Sequence, residues 1–241
     1  MKNVNLPEHP NTTPPMPRFL PQMKLADLLA TDHYLILTLP RLGIPLGFGE
    51  KSVATVCAEN HVPVDFMLLL CDVYSFNDFT PDPQQLNDTD MSPLVPYLNA
   101  SHRYYIDSYI PHINEHVRHV ADKLGARFGE MLTKFFDDYA AEVADHFRYE
   151  ETEVFPFLAD KKNRKAGIPT KIIKRISHSH TEIEDKLCDL SQIVYKYLPP
   201  EMASDEVIEL LFDIFRLADD LRKHEQIEER ILLPYIESLA E

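Results

Sequence analysis

The stretch HFRYEETEVFPFL, residues 146–158, returns near the C-terminus as HEQIEERILLPYI, residues 224–236. In both copies a Glu follows the His by four positions (Glu150, Glu228) and a second Glu adjoins it (Glu151, Glu229). Pro, an aromatic and an aliphatic residue then come in step. Residues four apart share one face of an α-helix, so each copy aims an imidazole and a carboxylate the same way. The His-to-acid spacing alone says little in an acidic chain, because His61 with Asp65, His178 with Glu182 and His180 with Glu184 show it too. A helix-surface histidine paired with an acid is the ordinary reading of any single case. Repetition of the whole frame carries the weight.

Working outward, each frame closes a long helical segment. The apolar period predicts helices at about 93–124, 127–158, 169–197 and 204–239, with Ser92 as N-cap and Pro93 at the first helical position. In the first of them one stripe runs His102, Ile106, Ile110, Ile113, Val117, Val120, Leu124 at steps of three and four. Gly125, the run from Lys161 to Pro169, and Pro199-Pro200 separate the segments. Short connections make neighbours antiparallel, so residues 93–241 are expected to form an up-down four-helix bundle of the all-α class. Ahead of it the sequence predicts a Pro-rich arm at 1–23, a small helical N-terminal domain at 24–76, and a linker at 77–92. Helices are expected there at Leu25–Leu29, Tyr34–Leu39, Val53–Glu59 and Asp65–Val73.

In an antiparallel hairpin, residues equally far from the turn lie at one height. His146 lies 21 residues past Gly125, which matches a height near residue 104 on the first helix, where His102 is the nearest histidine. His224 lies some 23 residues past the turn at 200–202, and His178 occupies the matching height on the third helix. His178 is preferred to His180, which points to nearly the opposite side of that helix. Six side chains, His102, His146, Glu150, His178, His224 and Glu228, can then meet in one layer. Glu151 and Glu229 are turned by about 100° from Glu150 and Glu228 and read as flanking or solvent groups. His112, His116 and His119 sit roughly 15–25 Å further along the first helix, at 1.5 Å per residue, and are left to the surface.

Four imidazoles and two carboxylates exceed the needs of one tetrahedral zinc and suit a pair of first-row metals. If both Glu bridge, the six side chains supply about eight bonds where two near-octahedral ions want about twelve. Positions remain for an oxo or hydroxo bridge and for a small ligand such as dioxygen, nitric oxide or peroxide. Two iron ions are the first choice and manganese the second.

These residues resemble the hemerythrin-like HHE cation-binding domain, in which paired His-x-x-x-Glu frames lie on the second and fourth helices and single histidines on the first and third. The closer resemblance is to the di-iron repair of iron centres family. There a His-x-x-x-Glu-Glu-x-x-x-Phe-Pro stretch like His146 to Pro156, and a second like His224 to Pro234, are typical. Leu25-Ala26-Asp27-Leu28 and Leu42-Gly43-Ile44 through Gly49-Glu50-Lys51 resemble that family's N-terminal domain, so the resemblance spans about residues 24–238. Two departures stand out. Gly47-Phe48-Gly49-Glu50 replaces the adjacent cysteines and glycines usual before that lysine, and Leu124 stands where the family tends to place a further ligand histidine.

The resemblance implies a non-haem di-iron protein that responds to nitric oxide and oxidative stress and repairs iron–sulfur clusters, with iron–sulfur proteins as partners. A protein that reversibly binds or senses dioxygen or nitric oxide is the alternative, since many neutral ligands and few carboxylates suit it. A helical adaptor with structural histidines is a third reading. The core-facing His102 speaks against it. A homodimer is compatible with the sequence.

Composition limits the rest. The 241 residues are 44% hydrophobic, and Lys+Arg 24 against Asp+Glu 39 gives a net charge of -15, which repels nucleic-acid phosphates. No apolar run approaches the roughly 20 residues of a membrane span, and a signal-peptide pattern is absent, so a cytoplasmic protein is expected. Cys57, Cys71 and Cys188 are widely spaced, as expected of reduced, buried thiols rather than a disulfide scaffold.

Overall fold

The computed structural model describes residues 19–159 and 168–239. Residues 1–18 of the Pro-rich arm and 160–167 of the second connection lie outside the described residues. Residues 19–23 pack onto the front helices instead of extending away. Phe19 is buried and its N–H donates to Asp72 Oδ1 at 3.1 Å, while the Pro21 carbonyl accepts from the Ala54 N–H at 2.9 Å.

Four long antiparallel helices form the bundle. The first runs as Leu94–Tyr104, Tyr105–Tyr109 and Ile110–Lys123, and the second as Ala126–Tyr149, Glu150–Val154 and Pro156–Ala159. The third is the unbroken Thr170–Tyr197, and the fourth runs as Asp205–Ile227, Glu228–Leu232 and Leu233–Ser238. Gly125 adopts φ 76°, a left-handed value open to glycine, and turns the first helix into the second. Ser92 does not cap the first helix: its N–H donates to Asp90 Oδ1, and Pro93 precedes the first helical residue.

The middle piece of each interrupted helix is a π-turn, and proline explains all three. The N–H groups of Ile110, Phe155 and Leu233 reach back five residues to the carbonyls of Tyr105, Glu150 and Glu228. Pro111, Pro156 and Pro234 come directly after. A proline has no N–H and its ring collides with the carbonyl four residues back, and widening the preceding turn relieves that collision without ending the helix. The third helix has no internal proline and no π-turn.

The front unit consists of Leu25–Thr31, a 3₁₀ turn at His33–Leu37, Thr38–Arg41, Val53–Glu59 and Val64–Ser75. The stretch read as a linker holds a short helix, Pro83–Asp88, started by the Asp82 carboxylate, which accepts from the Gln85 N–H at 2.8 Å. The front unit does not build a core of its own. Leu28, Leu39, Phe66 and Leu70 join Leu98, Val154, Ile227, Ile231 and Ile236 of the bundle in one apolar cluster. A second cluster, containing Ile113, Val117, Phe136, Leu187, Leu190 and Ile214, fills the far half of the bundle. A polar layer separates the two.

One buried ion pair ties the front unit to the fourth helix. Arg41 Nη1 and Nη2 meet Asp220 Oδ1 and Oδ2 at 3.0 and 2.5 Å, and Tyr74 Oη donates to Asp220 Oδ1 at 2.9 Å. Tyr105 Oη donates to the Asp220 carbonyl at 3.1 Å, linking the first helix to the same turn. Removing one member of such a pair strands a buried charge, so Asp220→Ala is expected to cost roughly 3–5 kcal/mol in chemical denaturation, and Arg41→Met with Asp220→Leu to recover most of it.

Candidate metal centre

The polar layer contains His102, His146, Glu150, His180, His224 and Glu228, all buried. The i, i+4 geometry places His146 Nε2 3.1 Å from Glu150 Oε1 on the second helix and His224 Nε2 3.2 Å from Glu228 Oε1 on the fourth. From the first helix, His102 Nε2 lies 3.1 Å from His224 Nε2 and 3.4 Å from Glu150 Oε2. From the third, His180 Nε2 lies 3.2 Å from Glu228 Oε2 and 3.5 Å from Glu150 Oε1. Two overlapping groups result, His102 with His224 and His146 with His180, each sharing Glu150 and Glu228. Each carboxylate therefore divides its two oxygens between the two histidine pairs.

The expectation for His178 is corrected. Its side chain is 74% exposed and pairs with Glu182 at 3.4 Å, whereas His180 is 4% exposed and enters the layer. Height along the axis cannot separate residues about 3 Å apart, at 1.5 Å per residue. Face can. The buried residues of the third helix run Ile176, His180, Ile183, Leu187, Leu190, Ser191, Val194, a stripe that includes position 180 and passes over 178. That stripe is the signal in the sequence that would have chosen His180.

Glu151 and Glu229 have a definite place. Glu151 Oε1 lies 2.9 Å from His102 Nδ1, and Glu229 Oε1 lies 3.3 Å from His180 Nδ1. A carboxylate only accepts, so each Nδ1 carries a proton, and with a metal bound each Nε2 would turn its lone pair to the layer. Each frame thus supplies an imidazole, a shared carboxylate, and a carboxylate that orients the histidine of the preceding helix. The Phe147 ring stacks on His102 with centroids 4.1 Å apart and keeps that side of the layer apolar.

The donor set fits a cation. Both oxygens of Glu150, both of Glu228 and His180 Nε2 are buried without a hydrogen-bond partner among the described residues, a costly arrangement unless a positive charge sits between them. Burial opposes charge on His180, yet contacts with Glu150, Glu228 and Glu229 outweigh it and push its pKa up to about 12. A proton there partly meets the demand for positive charge. Burial and the nearby His224 hold His102 well below the ordinary imidazole value, which suits a neutral donor. Burial pushes the Glu228 carboxyl up, but His224 and His180 prevail and hold it well below the usual carboxylate range.

Other histidines lie apart. His116 Nδ1 and His112 Nε2 face Asp213 Oδ2 at 3.0 and 3.6 Å, and His119 is exposed. Leu124 is buried in the far apolar cluster, roughly 30 Å along the helix from His102, so its failure to be histidine removes no donor from this layer. Cys57 and Cys71 are buried, and burial pushes both thiols up, Cys57 to about 11. Cys188 is exposed, against the expectation of three buried thiols. No helix among the described residues is long and apolar enough to cross a membrane.

The family model of the hemerythrin HHE cation binding domain matches residues 97–236. Proteins named "Iron-sulfur cluster repair protein YtfE" from Salmonella paratyphi B, Salmonella newport and Salmonella dublin are 22% identical over 187 residues, 77% of this chain and 83% of theirs. No solved structure matches this chain.

His180→Ala is expected to abolish most metal uptake, while His178→Ala and His119→Ala leave it intact, as measured by elemental analysis after anaerobic loading with ferrous iron. Equal losses from His178→Ala and His180→Ala would contradict the placement.

Proposed function

The chain belongs to the hemerythrin HHE cation-binding family, and from that premise we propose that it holds two iron ions between its bundle helices and serves the repair of iron–sulfur clusters damaged by nitric oxide or oxidants. The observation that carries this reading is the division of each carboxylate between two histidine pairs. One tetrahedral ion would use four donors and strand the rest, whereas two ions use all six. Imidazole and shared carboxylate together suit iron, with manganese second. The relatives named for cluster repair support the assignment of the task.

Bound iron would supply redox chemistry and Lewis acidity. The protein's part is to bind and orient. His102 and His224 would hold one ion, His146 and His180 the other, with Glu150 and Glu228 across both. Glu151 and Glu229 fix the rings of His102 and His180. Phe147 and Phe155 flank His102 and limit water. The loop at 43–51 carries no cysteine, and Cys57 and Cys71 are shut in the core, so these groups are not suited to thiol-mediated transfer.

Reversible uptake of dioxygen or nitric oxide without turnover is the second reading, favoured by four imidazoles against two carboxylates. The two readings separate in one set of measurements. Iron-loaded protein should carry two ions per chain, one for each histidine pair, and restore a cluster enzyme inactivated by nitric oxide at stoichiometric dose. A reversible visible band on oxygen exposure, with no restoration, would select the carrier.

Iron removal leaves the carboxylates facing each other in an apolar core. A chelator is therefore expected to lower Tm markedly. The lost stabilisation is about 4 kcal/mol where metal had been a thousandfold above its Kd, and calorimetry with and without chelator measures it.

A further inference from the structure

A cleft of about 740 Å³ opens where the chain before the first bundle helix meets the ends of the second and fourth, with Asp90, Ser92, Asn99, Glu151, Phe155 and Tyr235 among its walls. Two of these residues touch one histidine of the polar layer. Glu151 accepts from His102 Nδ1 at 2.9 Å, and the Phe155 ring stacks on His102 with centroids 5.6 Å apart. Glu229, the counterpart on the fourth helix, is not a wall of this cleft. Glu151 and Phe155 thus stand between the cleft and His102, and the unpartnered oxygens of Glu150 and Glu228 lie on the far side of that ring.

We propose that this cleft is the path by which a divalent cation enters and leaves the His102–His224 half of the layer, with Glu151 as the last oxygen donor before the interior. The inference rests on the reading of the layer as a metal centre. A hydrated divalent ion sheds its water reluctantly and needs oxygen donors in succession. Asp90, Ser92, Asn99 and Glu151 offer carboxylate, hydroxyl and amide oxygens along the cleft. Glu229 stands at the far, His180 edge of the layer, and the apolar packing beside the His102–His224 half, including Phe147, Val154 and Ile227, offers an ion nothing. The net charge of -15 draws cations toward such a cleft. When Glu151 turns to an arriving ion it releases His102 Nδ1, and the ring is freed at the moment its place is crossed. A neutral diatomic needs no such donors.

Val95 also lines the cleft and is only partly buried, so Val95→Trp blocks the path without removing a donor. In the full-length apo protein, anaerobic ferrous uptake and chelator-driven release are both expected to slow roughly tenfold or more, given the reluctance to dehydrate, with the final metal content unchanged. Glu151→Gln, which keeps an acceptor oxygen and loses the charge, should slow uptake as well. Nitric oxide binding to the loaded protein should keep its rate. Should Val95→Trp fail to fold by circular dichroism, Ser92→Trp at an exposed wall position replaces it. Unchanged uptake and release rates overturn the path, and equal slowing of nitric oxide binding overturns its restriction to cations. A wild-type chain that takes up no metal would overturn the metal centre itself, an outcome seen before any variant is compared.

Discussion

Two carboxylates, Glu150 and Glu228, face each other in the middle of an apolar bundle, and the rest of the molecule is arranged around that fact. Charges so placed repel and have lost their water, so they persist only with positive charge between them or strong donors around them. Four histidines supply the surroundings, one from each helix. Their Nε2 atoms converge because the outer nitrogens of two of them are held by Glu151 and Glu229 at the edge of the layer. The Glu-Glu doublet in each frame therefore does two jobs on adjacent faces of one helix, inward to the layer and sideways to the neighbouring helix.

Helix geometry and proline chemistry fix where those frames stop. In both, the π-turn begins at the inward carboxylate and ends just before the proline, so the His-to-Glu step keeps regular α spacing and the irregular spacing falls after it. The donors sit on the regular part. Beyond the carboxylates, Val154 with Phe155 and Ile231 with Leu232 are rotated into the cluster shared with the front unit. The same local defect that accommodates proline thereby directs apolar side chains toward the front helices.

Much of this is legible in the residues. The repeated frame identifies His146, Glu150, His224 and Glu228, and counting from the turns finds His102, because these signals depend on spacing along single helices and on hairpin symmetry. The same counting misplaces the histidine of the third helix. It gives height, and His178 and His180 differ mainly in face, which the buried stripe from Ile176 to Val194 decides. The π-turns are hidden from such a reading, since proline six residues after the start of a turn usually marks a helix end. So is the union of front unit and bundle. The front helices are apolar on their inner faces, but a sequence does not show that those faces close over Leu98, Ile227 and Ile236 rather than over one another.

That shared core decides what counts as a part. A bundle cut free at its first helix would leave Leu94, Leu98, Val154 and Ile231 uncovered in water at the end nearest the carboxylates, and Asp220 without its guanidinium. The four helices are therefore not a portable cassette. Any fusion or transplant that moves them must carry the front helices too, and recombination between relatives can exchange the two pieces only where both sides of the seam change together.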